Sequence, residues 1–107
     1  MYGFQEISVD DLIARQAGGE SIRLIDVRSA GETARGIIPG AELFPLHTLP
    51  LRLDELRSDI PVVVYCQSGA RSAQACAFLV QQGLKNVASL QGGIMAWARS
   101  GQAIAAA

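Results

Sequence analysis

The sequence predicts an α/β domain in which a mostly parallel sheet is covered by helices on both faces. Short apolar segments typical of strands alternate along the chain with segments of helical periodicity, and the connections between them are short. Several of the strand-like segments run directly into polar or glycine-rich turns, which gather at the carboxyl edge of a parallel sheet. With 107 residues, of which 50% are hydrophobic, residues 1–107 are expected to form one domain.

The first half of the chain contains two helix starts with capping signals. Ser8 precedes an apolar stripe and two acidic residues, which predicts a helix that the Gly18-Gly19 pair ends. Ser29 and Glu32 have the spacing of a capping box, so a short helical turn is predicted to end by Gly36. The strands predicted in this half cover 22–27 and 41–44, with a turn at Pro39-Gly40 between them.

The second half of the chain contains further strand and helix signals. Thr48 is predicted to cap a helix that continues to Leu56, since Pro50 would fall in the first turn of that helix. Pro61 opens the next strand. A last strand is predicted at 86–90 and a last helix at 94–100, and the tail 103–107 is expected to fray.

The strand that carries Cys66 is the most informative segment. Residues 62–65 are three valines and a tyrosine, a run that predicts a fully buried strand of a parallel sheet. Cys66 follows this strand directly and therefore stands at its carboxyl end. Apolar residues then recur at helical spacing from Ala73 to Val80, which predicts a helix that begins between Gly69 and Ser72 and runs to about Gly83.

A thiol in this position is expected to act as a nucleophile. The free amides of a helix start and the charge of Arg71 favour the thiolate of Cys66. Gly69 permits backbone angles that let successive amides converge on the sulfur, so the turn is expected to form an anion cradle. The alternative is an ordinary buried cysteine, which does not account for the strand, the glycine turn, the arginine and the helix start together. For Ser72, capping of the helix is the favoured interpretation.

Other polar residues receive more ordinary interpretations. Asp26 and Arg28 follow a predicted strand at the same sheet edge and are expected to support the site by pairing with loop amides or with Glu32. Cys76 lies on the apolar stripe of a helix and is expected in the core. His47, the only histidine, is expected at the surface, and no metal site is predicted from it and the two cysteines.

Composition argues against several classes of function. The formal net charge of −1 and the pI near 5.7 leave no basic surface for nucleic acid or for an anionic membrane. The N-terminal segment 1–6 has neither the positive region nor the apolar stretch of a signal peptide, and no transmembrane helix is predicted. A cytoplasmic protein is therefore expected.

The motifs together resemble those of the rhodanese domains, a family of sulfurtransferases. Four segments carry the resemblance in order: Leu24–Arg28 with Glu32, Gly36–Ala41, Tyr65–Ser72, and Leu90–Gly93 with Trp97. The resemblance implies a single rhodanese-like domain with about five strands. It also implies that Cys66 accepts a sulfane sulfur as a persulfide, which the amides of the loop hold, and passes it to a thiophile such as cyanide or a thiol.

The resemblance further implies a thiosulfate sulfurtransferase that needs no cofactor. Its partners would be a small sulfur donor and a thiophilic acceptor, with an acceptor protein as a further candidate. Gln67 stands where many thiosulfate-using members have a basic residue. The predicted catalytic residue is Cys66, the predicted substrate-binding residues are Gln67, Ser68, Gly69, Ala70, Arg71 and Ser72, and the predicted supporting residues are Asp26 and Arg28.

Two other functions are open at this stage. One is a cysteine-dependent phosphatase or arsenate reductase of related fold, although four residues separate Cys66 from Arg71 and such phosphatases have one residue more. The other is a non-catalytic binding module, against which the intact Cys66, Gly69 and Arg71 argue, because a binding module has no physical need for a thiolate cradle.

Overall fold

Strands and helices alternate along residues 3–107, the part of the chain that the computed structural model describes. Met1 and Tyr2 of the N-terminal segment lie outside the described residues. The elements in chain order are β1 (Gln5–Ile7), α1 (Val9–Ala17), β2 (Arg23–Asp26), α2 (Ala30–Thr33), β3 (Glu42–Leu43), a 3₁₀ helix (Leu46–Leu51), α3 (Leu53–Leu56), β4 (Val62–Tyr65), α4 (Ala70–Gln81), β5 (Val87–Leu90) and α5 (Gly93–Arg99).

The described strands form one sheet in the order β1-β5-β4-β2-β3, and every neighbouring pair is parallel. This confirms the predicted parallel sheet of about five strands. β4 lies at the centre, and all of its residues are buried, as its run of valines predicts. Because strands of a parallel sheet end at the same edge, the chain leaves β2, β4 and β5 close together at the carboxyl edge.

Helices cover both faces of the sheet, as predicted, and each face has its own apolar cluster. Side chains alternate along β4, so Val63 and Tyr65 face one cluster and Val62, Val64 and Cys66 face the other. The first cluster includes Leu12 of α1 and Ile94 and Trp97 of α5, and the second includes Leu56 of α3 and Ala75, Cys76 and Leu79 of α4. The thiol of Cys66 therefore lies on the face that α4 covers.

The predicted capping signals act locally as expected. The Ser8 hydroxyl accepts a hydrogen bond from the Asp11 amide at 3.1 Å at the start of α1. At the start of α2, the side chains of Ser29 and Glu32 bond each other's backbone amides, which completes the capping box.

Two elements differ from the sequence-based expectation. β1 was not predicted, because it has three residues at a sheet edge and only Ile7 of them is buried, so no alternation of polar and apolar residues marks it. The helix expected from Thr48 to Leu56 is instead a 3₁₀ helix followed by the single turn of α3. Pro50 lacks the amide that a continuous α-helix would need, and the Thr48 hydroxyl bonds the carbonyl of Pro45 instead of capping a helix.

The tail is held against the domain, so the expectation that 103–107 frays is wrong. Ile37 and Ala105 exchange two backbone hydrogen bonds of 2.8 Å, and the indole of Trp97 donates to the carbonyl of Ala103 at 2.8 Å. Ile37 and Trp97 are buried, and their N–H groups would lack partners without the tail. Within residues 3–107, no helix has both the length and the apolar character that crossing a membrane requires.

Deleting residues 103–107 should lower the free energy of unfolding by about 2 to 4 kcal/mol, because buried donors at Ile37 and Trp97 lose their acceptors. Urea denaturation followed by circular dichroism measures the change. Deleting only Ala106 and Ala107 is the control, since it spares these hydrogen bonds, and should cost little. Equal stability of the two truncated forms would show that the tail contributes nothing.

Candidate active site

The sulfur of Cys66 lies at the carboxyl end of β4, inside a turn of backbone amides. Its Sγ accepts hydrogen bonds from the amide of Gly69 at 3.1 Å and from the amide of Ser72 at 3.4 Å. The residue is only 1% exposed. Gln67, Ser68 and Ala70, by contrast, lie on the exposed side of the turn.

The conformation of Gly69 brings these amides to the sulfur. Gly69 is the N-cap of α4 and has a φ of 118°, a left-handed conformation that other residues rarely adopt. The helix therefore begins at Ala70, within the predicted range from Gly69 to Ser72, and Arg71 lies in its first turn. The amide of Ser72, inside the first turn, is one of the helix amides without an intrahelical acceptor.

The carbonyl groups of the same turn point the opposite way, toward α5. The carbonyl of Cys66 accepts from the amide of Ile94 at 2.9 Å, and that of Gln67 accepts from the amide of Met95 at 3.2 Å. In a planar trans peptide, the N–H points away from the C=O. With the Gln67 carbonyl held by α5, the amide of Ser68 is directed to the sulfur side of the turn, where it acts to lower the pKa of Cys66.

Gly93 makes this close approach of α5 possible. A Cβ at this position would lie 2.4 Å from the carbonyl oxygen of Cys66 and 2.6 Å from that of Gln67. Its φ of 58° is also in the left-handed region. A side chain at Gly93 would therefore push α5 away from the turn that holds the thiol.

The two cysteines have opposite electrostatic environments. Burial acts to raise the pKa of the Cys66 thiol, but hydrogen bonds from the amide and hydroxyl of Ser72 and from the amides of Gly69 and Ser68 outweigh it and bring the pKa below its usual value. The lowering comes chiefly from these hydrogen bonds rather than from Arg71, to which the sequence assigned part of it. Burial raises the pKa of Cys76 to about 12, and the nearby charge of Cys66 adds to this effect.

Arg71 forms a bidentate ion pair with Glu32. Its two terminal nitrogens lie 2.6 and 2.7 Å from the two carboxylate oxygens. The hydrogen bonds of Arg71, followed by those of Ser29, lower the pKa of Glu32 to about 2. The charge of Arg71 is thus largely compensated, and Glu32 belongs to the site, although the sequence analysis considered it only for a helix cap and as a partner of Asp26 or Arg28. Its place after β2, at the same sheet edge as Arg71, was the signal that pointed to it.

Asp26 and Arg28 form a buried pair beside the site. The Arg28 side chain donates to the Asp26 carboxylate at 2.8 Å and to the carbonyl of Gly36 at 2.6 Å. The Arg28 amide also donates to Asp26 at 2.9 Å. Asp26 therefore pairs with a loop amide, as expected, but Glu32 binds Arg71 instead of either supporting residue. The pair ties the end of β2 to the loop at Gly36 and does not contact the sulfur.

Ser72 does not cap α4, because Gly69 occupies the N-cap position and the Ser72 hydroxyl lies near the Gly69 carbonyl rather than a helix amide. Ser72 is fully buried, and its hydroxyl lies 3.7 Å from Sγ of Cys66 and 3.0 Å from the carbonyl of Gly69. The hydroxyl consequently faces the thiol, which corrects the interpretation of Ser72 as a capping residue.

Cavities lie on both sides of the ion pair. Arg71 lines one cavity of about 510 Å³, whose walls include Pro45, Leu46, Phe78 and the exposed His47. Glu32 lines another of about 480 Å³, together with Gln67, Arg28 and Arg35. The first cavity is largely apolar, and the second combines these charged and polar residues with apolar ones such as Ile94 and Met95. Among residues 3–107 there is no group of three or more side chains arranged to hold a metal ion.

Comparisons with known proteins relate the chain to one family. Residues 8–100 match the family described as rhodanese-like domain. A protein of Allochromatium vinosum named sulfurtransferase is 50% identical over 101 residues, which cover 94% of each chain.

Solved structures show the same fold. A rhodanese-related protein from Thermoplasma volcanium has a TM-score of 0.85 and 31% identity, with 94% of this chain and 97% of that chain covered. A protein of unknown function from Rhodopseudomonas palustris, described as a possible tyrosine phosphatase, has a TM-score of 0.86 and 31% identity, with coverage of 94% and 84%.

Replacing Gly93 by alanine should destabilise the protein by about 2 to 4 kcal/mol, because the new Cβ meets two carbonyl oxygens in a strained backbone conformation. It should also raise the pKa of Cys66, because the turn can no longer hold its amides toward the sulfur. Chemical denaturation and a pH titration of thiolate absorbance measure the two effects.

The matched control is Gly31→Ala in α2, where the added Cβ has no neighbour within 4 Å and φ is not positive. This variant should be as stable as the parent or slightly more stable. A Gly93→Ala protein with the stability of the Gly31→Ala protein would refute the close approach of α5.

Proposed function

Since the chain belongs to the rhodanese-like domain family, we propose that it is a sulfurtransferase in which Cys66 carries the transferred sulfur as a persulfide. The observation that carries the proposal is the set of donors around Sγ, namely the amides of Ser68, Gly69 and Ser72 with the hydroxyl of Ser72. These groups favour the thiolate and converge where a second sulfur would add negative charge.

The proposed reaction has two displacement steps. In the first step, the Cys66 thiolate attacks the outer sulfur of thiosulfate, the S–S bond breaks, and its electron pair leaves with sulfite. Cys66 then holds one additional sulfur with a negative charge. In the second step, a thiophile such as cyanide or a thiolate attacks this outer sulfur, and the Cys66 thiolate leaves. No net oxidation occurs, since the sulfane sulfur only changes partners.

The exposed edge of the turn is the proposed contact surface for donor and acceptor. Gln67, Ser68 and Ala70 line this edge, and Arg71 is the cation next to it. We propose a small sulfur donor, a thiophilic acceptor that can be a protein, and no role for nucleic acid or membranes. A cytoplasmic location stays a prediction.

The ion pair of Arg71 affects which donors are used. An anionic donor has to compete with the Glu32 carboxylate for the guanidinium, and Gln67 adds no second charge. Thiosulfate is therefore a usable but disfavoured donor in this proposal.

Incubation with thiosulfate should add one sulfur atom to the protein, at Cys66. Cys66→Ser should abolish both the mass gain, followed by intact-protein mass spectrometry, and the cyanide-dependent formation of thiocyanate. Cys76→Ser is the matched control and should keep both, because the Cys76 thiol, with a pKa of about 12, stays protonated at neutral pH. Equal loss in the two variants would contradict the assignment of Cys66.

Replacing Glu32 by glutamine should raise kcat/KM for thiosulfate by about three- to tenfold, because Arg71 becomes available to the anion. Glutamine still serves the capping box, so α2 should persist. The control is Glu42→Gln, which breaks the ion pair with Arg23 away from the turn and should leave the kinetics unchanged. A lower kcat/KM in Glu32→Gln would mean that Glu32 supports the reaction instead of competing with the donor.

The similarity to a protein described as a possible tyrosine phosphatase makes phosphatase activity the second candidate. Four residues between Cys66 and Arg71 make a small ring, and Arg71 is bound to Glu32, so a phosphoryl group has few free donors. Turnover of an aryl phosphate should be at background in a preparation that transfers sulfur. Cys66-dependent phosphate release faster than thiocyanate formation would overturn the proposed reaction, and the absence of both activities would favour a binding module.

A further inference from the structure

Ser89 is the one polar residue of β5, whose other three residues are apolar. It pairs with Val64 of β4, two residues before Cys66, and is 1% exposed. Its hydroxyl lies 2.8 Å from the hydroxyl of Ser72. Burying a hydroxyl costs free energy unless it is hydrogen-bonded, and the Ser72 hydroxyl is the partner that Ser89 has here. Core packing alone does not explain why a serine stands at this position.

The Ser89 hydroxyl, the Ser72 hydroxyl and the Cys66 sulfur form a chain of hydrogen bonds that runs from β5 to the sulfur. That hydroxyl has one proton and lies near two acceptors, the carbonyl of Gly69 at 3.0 Å and Sγ of Cys66 at 3.7 Å. Whenever Ser72 donates its proton to either of them, Ser89 must be the donor in the contact between the two serines.

The direction of this donation matters most when Cys66 is ionised. With the thiol protonated, Sγ can donate to Ser72, and Ser72 can donate to Gly69. With the thiolate, Sγ is only an acceptor, and the Ser72 proton has to turn toward it. A bond from Ser89 occupies the far side of the Ser72 oxygen and strengthens the bond that Ser72 donates, because donors in a chain polarise one another.

We propose that Ser89 is a positioning residue for the nucleophile, which directs the proton of Ser72 to the Cys66 sulfur and stabilises the thiolate through it. This inference rests on the proposed function, in which Cys66 is the nucleophile. Ser89 does not touch the sulfur, and its effect passes through Ser72.

The charged and titratable groups around Cys66 take no part in the hydrogen bonds that link Ser89, Ser72 and Cys66. Arg71 and Cys76 face it from α4, and Arg71 is bound to Glu32 of α2. On the β2 side, Asp26 is paired with Arg28. β5 itself carries no charged residue, and substitution of Ser89 alters none of these pairs.

The test is the pH titration of the Cys66 thiolate, followed by its ultraviolet absorbance in a Cys76→Ser background. Ser89→Ala should decrease the fraction of thiolate below the pKa by about three- to tenfold, as expected from one hydrogen bond lost in the chain. Ser89→Thr, which keeps the hydroxyl, should restore the titration of the parent.

A double-mutant cycle separates positioning from a structural effect. In a Ser72→Ala background, Ser89→Ala should cause no further shift, because the group through which it acts is gone. Val62→Ala, which removes buried apolar volume at the amino end of β4, opposite the end that carries Cys66, controls for lost stability and should leave the titration unchanged.

Two results would overturn the inference: an unchanged titration in folded Ser89→Ala protein, or the same shift with and without Ser72. Titration of the thiolate does not depend on sulfur transfer. If the thiosulfate assay failed but Ser89→Ala still showed the expected decrease in thiolate, the proposed function would be rejected and the role of Ser89 would stand.

Discussion

The hydrogen bonds between the cysteine turn and α5 are the constraint on which the site depends. They hold the carbonyls of Cys66 and Gln67 on one side of the turn. The amides that follow therefore point to the other side, where the sulfur lies. The contact is short enough that only glycine fits at position 93. The hydrogen bonds that lower the pKa of Cys66 are therefore maintained by the packing of α5, a helix whose side chains make no hydrogen bond to the sulfur.

The charged groups of the site are paired with each other, and Glu32 has two roles in this pairing. Glu32 uses its carboxylate both to close the capping box of α2 and to bind Arg71, which belongs to α4. The sulfur is consequently stabilised by neutral dipoles at short distance, while the only arginine in the turn is held by a carboxylate. Such a site suits a single polarisable sulfur atom better than an oxyanion that needs several free donors.

Interactions between neighbours in the sequence could be predicted. The buried strand 62–65 follows from an unbroken apolar run, and the caps at Ser8 and Ser29 follow from spacings of three residues. The position of Cys66 at a strand end before a helix follows for the same reason, because strand, glycine turn and helix are contiguous. Two elements were harder to predict. β1 was missed because little of it is buried, and the helix near Pro50 was given the wrong type because proline lacks an amide hydrogen.

The sequence by itself thus determined the class of fold, the two helix caps and the place of Cys66 between a strand and a helix, since these depend on periodicity and on local hydrogen bonds. Only the tertiary structure decided which groups meet across the chain. Arg71 and Glu32 are 39 residues apart, Ser72 and Ser89 are 17 apart, and Ala105 reaches Ile37 from the far end. None of these pairs has a spacing that a single element imposes. They form because parallel strands bring their carboxyl ends, and everything attached to them, to one edge of the sheet.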